Sequence, residues 1–255
     1  MKVDFFVAGT QKAATTSMDA YLRAHPAIQM AARKEPHHFD NETIDWSRPD
    51  HSSLHAMFNF SVLGVIRGEA TPIYAFWPPA LARLQAYNPA ARLIVLFRDP
   101  IQRAYSHWRM EVTRGAEKLK FADAIRGGRA RLDTSAPLSP AWRAFSYVER
   151  SLYTPQTRRL LDLFPREQLL FLRAGDLATD PAGTLARVTR FIGVSAYGAV
   201  NPLTEHVGSR AFEPVSETDI AYLRDLFRAD LEEFSKLSTL DLSDWPTVNG
   251  GMPLR

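Results

Sequence analysis

Cysteine is missing from all 255 residues. That removes disulfides, thiolate metal sites and a cysteine nucleophile. No apolar run approaches the roughly 20 residues that a membrane helix needs. A cleavable leader pattern is lacking too, because an apolar strand begins within the first few residues. Neither sign of charge dominates: 31 Lys and Arg against 28 Asp and Glu leave a formal charge of +3. The basic residues are scattered, which argues against a nucleic-acid surface and suits a small polyanionic ligand. Repeats, low-complexity tracts, interdomain linkers and a clear metal-ligand cluster are also absent. These absences predict a cytoplasmic chain folded as one domain over residues 1–255, with no membrane or nucleic-acid partner. A composition of 45% hydrophobic and 23% charged residues is that of a globular protein with a sizeable core.

What the chain does contain is a regular alternation. Val3 to Ala8, Ala27 to Met30, Val62 to Ile66, Arg92 to Phe97 and Gln168 to Leu172 read as short buried strands. Between and after them, helical spacing runs over 53–60, 78–87, 101–113, 145–164, 181–192 and 216–237. The last of these opens with the capping-box outline Ser216-x-x-Asp219. Strand and helix at this spacing predict an α/β fold, a three-layer sandwich with a central parallel sheet. Between Arg114 and Ala141 the pattern weakens around Gly115, Gly127, Gly128, Pro137 and Pro140. That excursion reads either as a surface loop or as a substrate-binding flap.

The stretch that organises the rest is Phe5-Phe6-Val7-Ala8-Gly9-Thr10-Gln11-Lys12-Ala13-Ala14-Thr15-Thr16-Ser17. A strand ends at Gly9, a small loop carries one lysine, and a helix opens on three hydroxyl side chains. The start of a helix offers free N–H groups and the positive end of its dipole, which suits phosphate. Lys12 adds a point charge, and Thr15, Thr16 and Ser17 can donate to anionic oxygens. The spacing Gly-x-x-Lys-x-x-Thr-Thr-Ser is not that of a Walker A loop. Further on, the strand 92–97 leads into Arg98-Asp99-Pro100-Ile101-Gln102-Arg103-Ala104-Tyr105-Ser106.

Together these two segments resemble the nucleotide-binding loops of sulfotransferases that use 3'-phosphoadenosine 5'-phosphosulfate (PAPS). The first resembles the family pattern G-x-x-K-x-G-T-T-S, with Ala14 in place of the second Gly, and the second matches R-x-P-x-x-R-x-x-S. Lys34-Glu35-Pro36-His37-His38-Phe39-Asp40 is similar to a Lys-Glu-x-His-Phe-Phe-Asp stretch of the heparan sulfate N- and 3-O-sulfotransferases. Glu69-Ala70-Thr71-Pro72-Ile73-Tyr74 resembles their Glu-Lys-Ser/Thr-Pro-x-Tyr stretch, with Ala70 where they carry a lysine. The resemblance implies a P-loop-like sulfotransferase fold and transfer of a sulfuryl group from PAPS to a hydroxyl of a carbohydrate or small natural-product acceptor. The lack of an anchor sets the chain beside soluble bacterial relatives of that group.

By position, the resemblance assigns Glu35 as general base with His37 beside it, and Lys12 as the cation on the leaving phosphate. It places the nucleotide on Gly9, Gln11, Lys12, Ala13, Ala14, Thr15, Thr16 and Ser17. Arg98 and Ser106 take its 3'-phosphate, Tyr153 lies near the adenine or acceptor, and Ser209 and Arg210 belong to a late loop that closes over it. Lys34, His38, Glu69 and His107 are the candidates facing the acceptor. Either Lys34 or Arg67 takes the place of the lysine missing at Ala70, or the transition state has one cation fewer. A histidine base, at His37, His38 or His107, is the rival within the same chemistry. Outside it stand a nucleotide-dependent phosphotransferase and a nucleotide-binding module without catalysis. Positioning and electrostatics dominate this kind of transfer, so no metal is called for.

Overall fold

The computed structural model describes residues 2–133, 138–198, 200 and 212–252. Five parallel strands, β1 (Phe5–Gly9), β2 (Ile28–Met30), β3 (Ile66–Ala70), β4 (Arg92–Phe97) and β5 (Leu169–Arg173), form one sheet in the order β2-β3-β1-β4-β5. The helices before and within the excursion are α1 (Thr15–Arg23), α2 (Ser52–His55), α3 (Pro78–Tyr87), α4 (Pro100–Thr113), α5 (Phe121–Ala124) and α6 (Ala130–Asp133). From its end onwards come α7 (Pro140–Phe145), α8 (Thr154–Leu163), α9 (Ala174–Thr179), α10 (Pro181–Ile192), α11 (Glu217–Ser238) and α12 (Pro246–Asn249). Residue contacts divide the chain into two compact units, Met1–Phe97 with Arg158–His206, and Arg98–Thr157 with Val207–Arg255.

The first unit contains the whole sheet. Alternation along β1 sends Phe5 and Val7 to one face, where they join Ile94, Leu96 and Leu172 under Met18 and Leu22 of α1 and Leu185, Val188 and Ile192 of α10. Phe6 goes to the other face and meets Phe39 edge-on at 5.7 Å. Phe39 in turn touches Tyr87 of α3 at 5.4 Å. Helices flank the parallel sheet as the alternation predicted. With β3 on one side of β1 and β4 on the other, the loop after β1 leaves from the switch point of the sheet, where such folds bind ligands.

Three elements differ from the sequence expectation by more than two residues. The third strand is not 62–66 but β3, four residues later, and Leu63 is 87% exposed in the loop before it. The helix read over 53–60 is only the single turn α2. The long helix read over 145–164 is instead α7, a 3₁₀ turn at Glu149–Ser151 and α8. Pro155, which has no N–H to give, sits in the first turn of α8 and fixes the restart there.

In the second unit the excursion is tethered. Glu117, 3% exposed, accepts from Arg131 Nη2 at 2.9 Å, from the Tyr147 hydroxyl at 2.9 Å and from the N–H groups of Lys118 and Leu119. The C-terminal α12 reaches back over 148 positions: the Thr247 N–H donates to Asp99 Oδ2 at 2.8 Å. The other oxygen of Asp99 accepts from the N–H groups of Ile101 and Gln102, capping α4. Among the described residues, no helix is long and apolar enough to cross a membrane.

Candidate active site

In the first unit, the loop after β1 has the geometry of an anion cradle. Lys12 and Ala14 have φ of 72° and 58°, with negative φ at Gln11 and Ala13 between and beside them. Alternation of this kind turns successive N–H groups towards one point. Ala14 is the N-cap of α1 and offers no side-chain cap, so the N–H groups of Thr15, Thr16 and Ser17 lie outside the helical ladder. The left-handed conformation explains why a glycine suits position 14: an alanine there carries roughly 1–2 kcal/mol of backbone strain. Gly9 is buried at the end of β1, where an added Cβ would lie 3.0 Å from both Ala75 Cβ and Val95 Cγ1. Ala13 faces the core rather than the loop, and Thr15 is also buried, so Thr16 and Ser17 are the more open hydroxyls.

The loop after β2 gathers the acid–base groups. His37 Nδ1 lies 2.9 Å from Asp40 Oδ2 and Nε2 lies 3.2 Å from Glu35 Oε2. Lys34 Nζ holds the other carboxylate oxygen, Oε1, at 2.9 Å. Burial alone would raise the Glu35 carboxyl, but hydrogen bonds from His37 and Lys34 outweigh it and bring the group down to about 2. The bond to Asp40, then that to Glu35, pushes the His37 imidazole up to about 9. The sequence motif contains Asp40 but assigns it no role. What hides the role is the backbone: a positive φ of 54° at His37 folds its ring back to residue 40.

The neighbouring His38 is not part of that group. Its ring is 4% exposed, bonds to His51 Nδ1 at 2.8 Å and packs among Phe39 and Trp46. Burial, with His51 and His55 nearby, pulls it down to about 4. Glu69 is fully buried on β3, and its Oε2 accepts from the Thr71 hydroxyl at 2.9 Å. Arg67, at the other end of β3, spends its Nη2 on the carbonyls of Asn59 and Val62, with its guanidinium over the Phe60 ring. The segment after β3 ties this loop to β1. Tyr74 OH accepts from the His38 N–H at 3.1 Å, Phe39 stacks edge-on to Tyr74, and the Ala75 N–H donates to Ala8.

In the second unit, Arg98 and Ser106 are both partly open, the former two residues before α4 and the latter two turns along it. Arg98 Nε bonds to Gln102 Oε1 at 3.2 Å. Tyr153 is fully buried, packed on Phe234 and Trp245, and its hydroxyl donates to the Arg98 carbonyl at 2.7 Å. It therefore steadies the Arg98 backbone. His107 is completely buried, edge-on to Tyr147 and 3.9 Å from Glu111. Sequence reasoning passed over Arg103, whose buried guanidinium bonds to Ser151 Oγ and the Tyr147 carbonyl. No carboxylate bonds to it among the described residues, and burial lowers this group to about 10. Ser209 and Arg210 lie outside the described residues. Among the described residues, no cluster of three or more acidic or histidine side chains is placed to hold a metal.

A family profile described as "Sulfotransferase domain" matches residues 2–246. Human heparan sulfate glucosamine 3-O-sulfotransferase 6 is 31% identical over 192 residues, covering 74% of this chain and 51% of that protein. Human heparan sulfate glucosamine 3-O-sulfotransferase 3B1 is 29% identical over 191 residues, covering 74% of this chain and 45% of that protein. The chain spans about half the length of the curated relatives it matches. A sulfotransferase structure from Alicyclobacillus acidocaldarius superposes with a TM-score of 0.80 at 26% identity, covering 96% of this chain and 99% of that one.

Proposed function

The chain belongs to the PAPS-dependent sulfotransferase family, and we propose that it moves a sulfuryl group from PAPS to a hydroxyl of a carbohydrate or small natural-product acceptor, with Glu35 as base. The observation that carries this reading is the string Lys34–Glu35–His37–Asp40. Both nitrogens of His37 lie against carboxylates, so the ring orients Glu35 and leaves proton abstraction to the carboxylate. The cradle of Lys12 to Ser17 suits the 5'-phosphosulfate end, because its N–H groups and Lys12 meet charge that grows as the bridging oxygen leaves. Arg98 and Ser106 are kept as the 3'-phosphate pair. PAPS supplies the sulfuryl group itself.

A carboxylate held at about 2 is a weak base, and Lys34 is one reason for it. In this reading Lys34, not the engaged Arg67, swings from Glu35 to the sulfuryl oxygens and leaves Glu35 more basic when both substrates are present. The heparan sulfate relatives support a sugar hydroxyl as acceptor, and the excursion 114–141 is read as part of its recognition. A bacterial-type setting is read from the likeness to the Alicyclobacillus structure.

The test is a pair of measurements. Adenosine 3',5'-bisphosphate should raise Tm where ATP with magnesium does not. Glu35→Gln should lower kcat by about 10²–10⁴ with nucleotide affinity little changed. Stabilisation by ATP alone, or a Glu35→Gln enzyme as fast as wild type, would overturn the reading.

A further inference from the structure

We propose that Glu69 is a positioning residue that acts as a neutral carboxylic acid, locking the catalytic loop in place through Thr71, alongside Tyr74. This role rests on the reading of Glu35 as the base. The carboxyl is fully buried, and no arginine or lysine forms an ion pair with it among the described residues. Its Oε1 is buried with no hydrogen-bond partner there, while Oε2 takes the Thr71 hydroxyl. An ionised carboxylate in that setting would be a buried charge with one oxygen facing no donor, which is costly. Keeping the proton is the cheaper state.

The same two hydroxyls hold the loop. Thr71 Oγ1 accepts from the His37 N–H at 3.4 Å, and Tyr74 OH accepts from the N–H groups of His38 and Phe39 at 3.1 and 3.4 Å. Having accepted from the loop, the Thr71 hydroxyl gives its own proton to Glu69 Oε2. The direction of this relay is thereby set: His37 amide to Thr71 hydroxyl, hydroxyl to carboxyl. Glu69 thus fixes the backbone at the residue whose left-handed turn brings His37 to Asp40 and Glu35.

Facing Glu69, the 34–40 loop contributes Asp40 and His37, and the segment after β3 contributes Tyr74. The neighbouring strands bring Phe6 of β1, in register with Glu69, and Met30 of β2, neither of which titrates. Burial is the largest influence and lifts the acid to about 8, with Asp40 adding to the rise and Tyr74, Thr71 and His37 opposing it. Because the folded value is above the ordinary one, the acid form favours folding most at low pH. That advantage fades as pH rises from the ordinary carboxyl range towards 8.

The experiment compares wild type, Glu69→Gln, Glu69→Ala and the control Glu35→Gln. Glu69→Ala is expected to lose at least tenfold in kcat, with the Kd for adenosine 3',5'-bisphosphate within about threefold of wild type. Glu69→Gln, also neutral and able to accept from the Thr71 hydroxyl, should recover most of that loss, and the decline in kcat expected of wild type above about pH 8 should be smaller in it. The Tm of Glu69→Gln should gain on wild type between pH 5 and pH 8.5, and the amide of His37, which donates to Thr71, should exchange faster in Glu69→Ala only. If Glu69→Gln is as impaired as Glu69→Ala, the negative charge is needed and the proposal fails. It fails equally if Glu69→Ala keeps wild-type kcat and amide protection. Should Glu35→Gln prove fully active, the base is elsewhere, and the melting and exchange arms still decide Glu69.

Discussion

Two histidines adjacent in sequence have opposite surroundings, and this is the clearest case of environment overriding residue type. His37 sits between two carboxylates, and the bond to Asp40 leads the rise to about 9. His38 is turned into a pocket of rings and two other histidines, where burial leads the fall to about 4. At neutral pH the first is charged and the second is not. Histidine-selective NMR should therefore find two adjacent residues titrating at opposite ends of the range. Midpoints that both fall within a unit of the unperturbed value would show that neither environment is as described. The signs for stability follow. The His37 contribution is complete below its ordinary value and disappears as pH rises through about 9. The Glu35 contribution is complete above the ordinary carboxyl range and disappears as pH falls towards about 2. The loop is thus best held on the mildly acidic side of neutrality. Of this arrangement, the sequence could show Lys34, Glu35 and His37 as a motif. It could not show that Asp40 closes the string, because that depends on one backbone angle at His37.

At the level of elements, β3 shows why some of the fold was illegible. β1 and β4 are continuous apolar runs, as strands covered on both faces should be, and both were read correctly. β3 is Ile66-Arg67-Gly68-Glu69-Ala70, which reads as a polar turn. It is a strand because its backbone pairs on both sides, with β1 and β2, and because Gly68 makes room for a neighbour. A Cβ at Gly68 would fall 2.1 Å from the Phe5 ring, which packs directly over it. Gly68→Ala should therefore cost about 1–3 kcal/mol as an overpacked core, a drop of several degrees in Tm for a chain of this size. A melting curve unchanged by the substitution would mean that Phe5 has another rotamer available. Where local chemistry decides an element, the sequence was sufficient. Ser216 accepts from the Asp219 N–H at 3.1 Å and starts α11 as the capping box implied. Where a distant contact decides, as with Gly68 and Phe5, only the folded chain reveals it.

For the molecule as a whole, the informative fact is how the chain is shared between its two compact units. The first unit takes Met1–Phe97 and then Arg158–His206. A fragment ending at Phe97 would keep four strands but lose β5, α9 and α10, leaving Met18, Leu22, Ile94 and Leu96 without Leu172, Leu185, Val188 and Ile192. Expressed alone, it should give a circular dichroism spectrum of an unfolded chain and no cooperative melt; a sharp transition would show that β5 and its helices are dispensable. The second unit is no more continuous, since Asp99 near its start is bonded to Thr247 near its end. In the gene, then, neither unit is one uninterrupted stretch of codons. A single crossover cannot import a foreign version of either, and a single deletion cannot remove one cleanly.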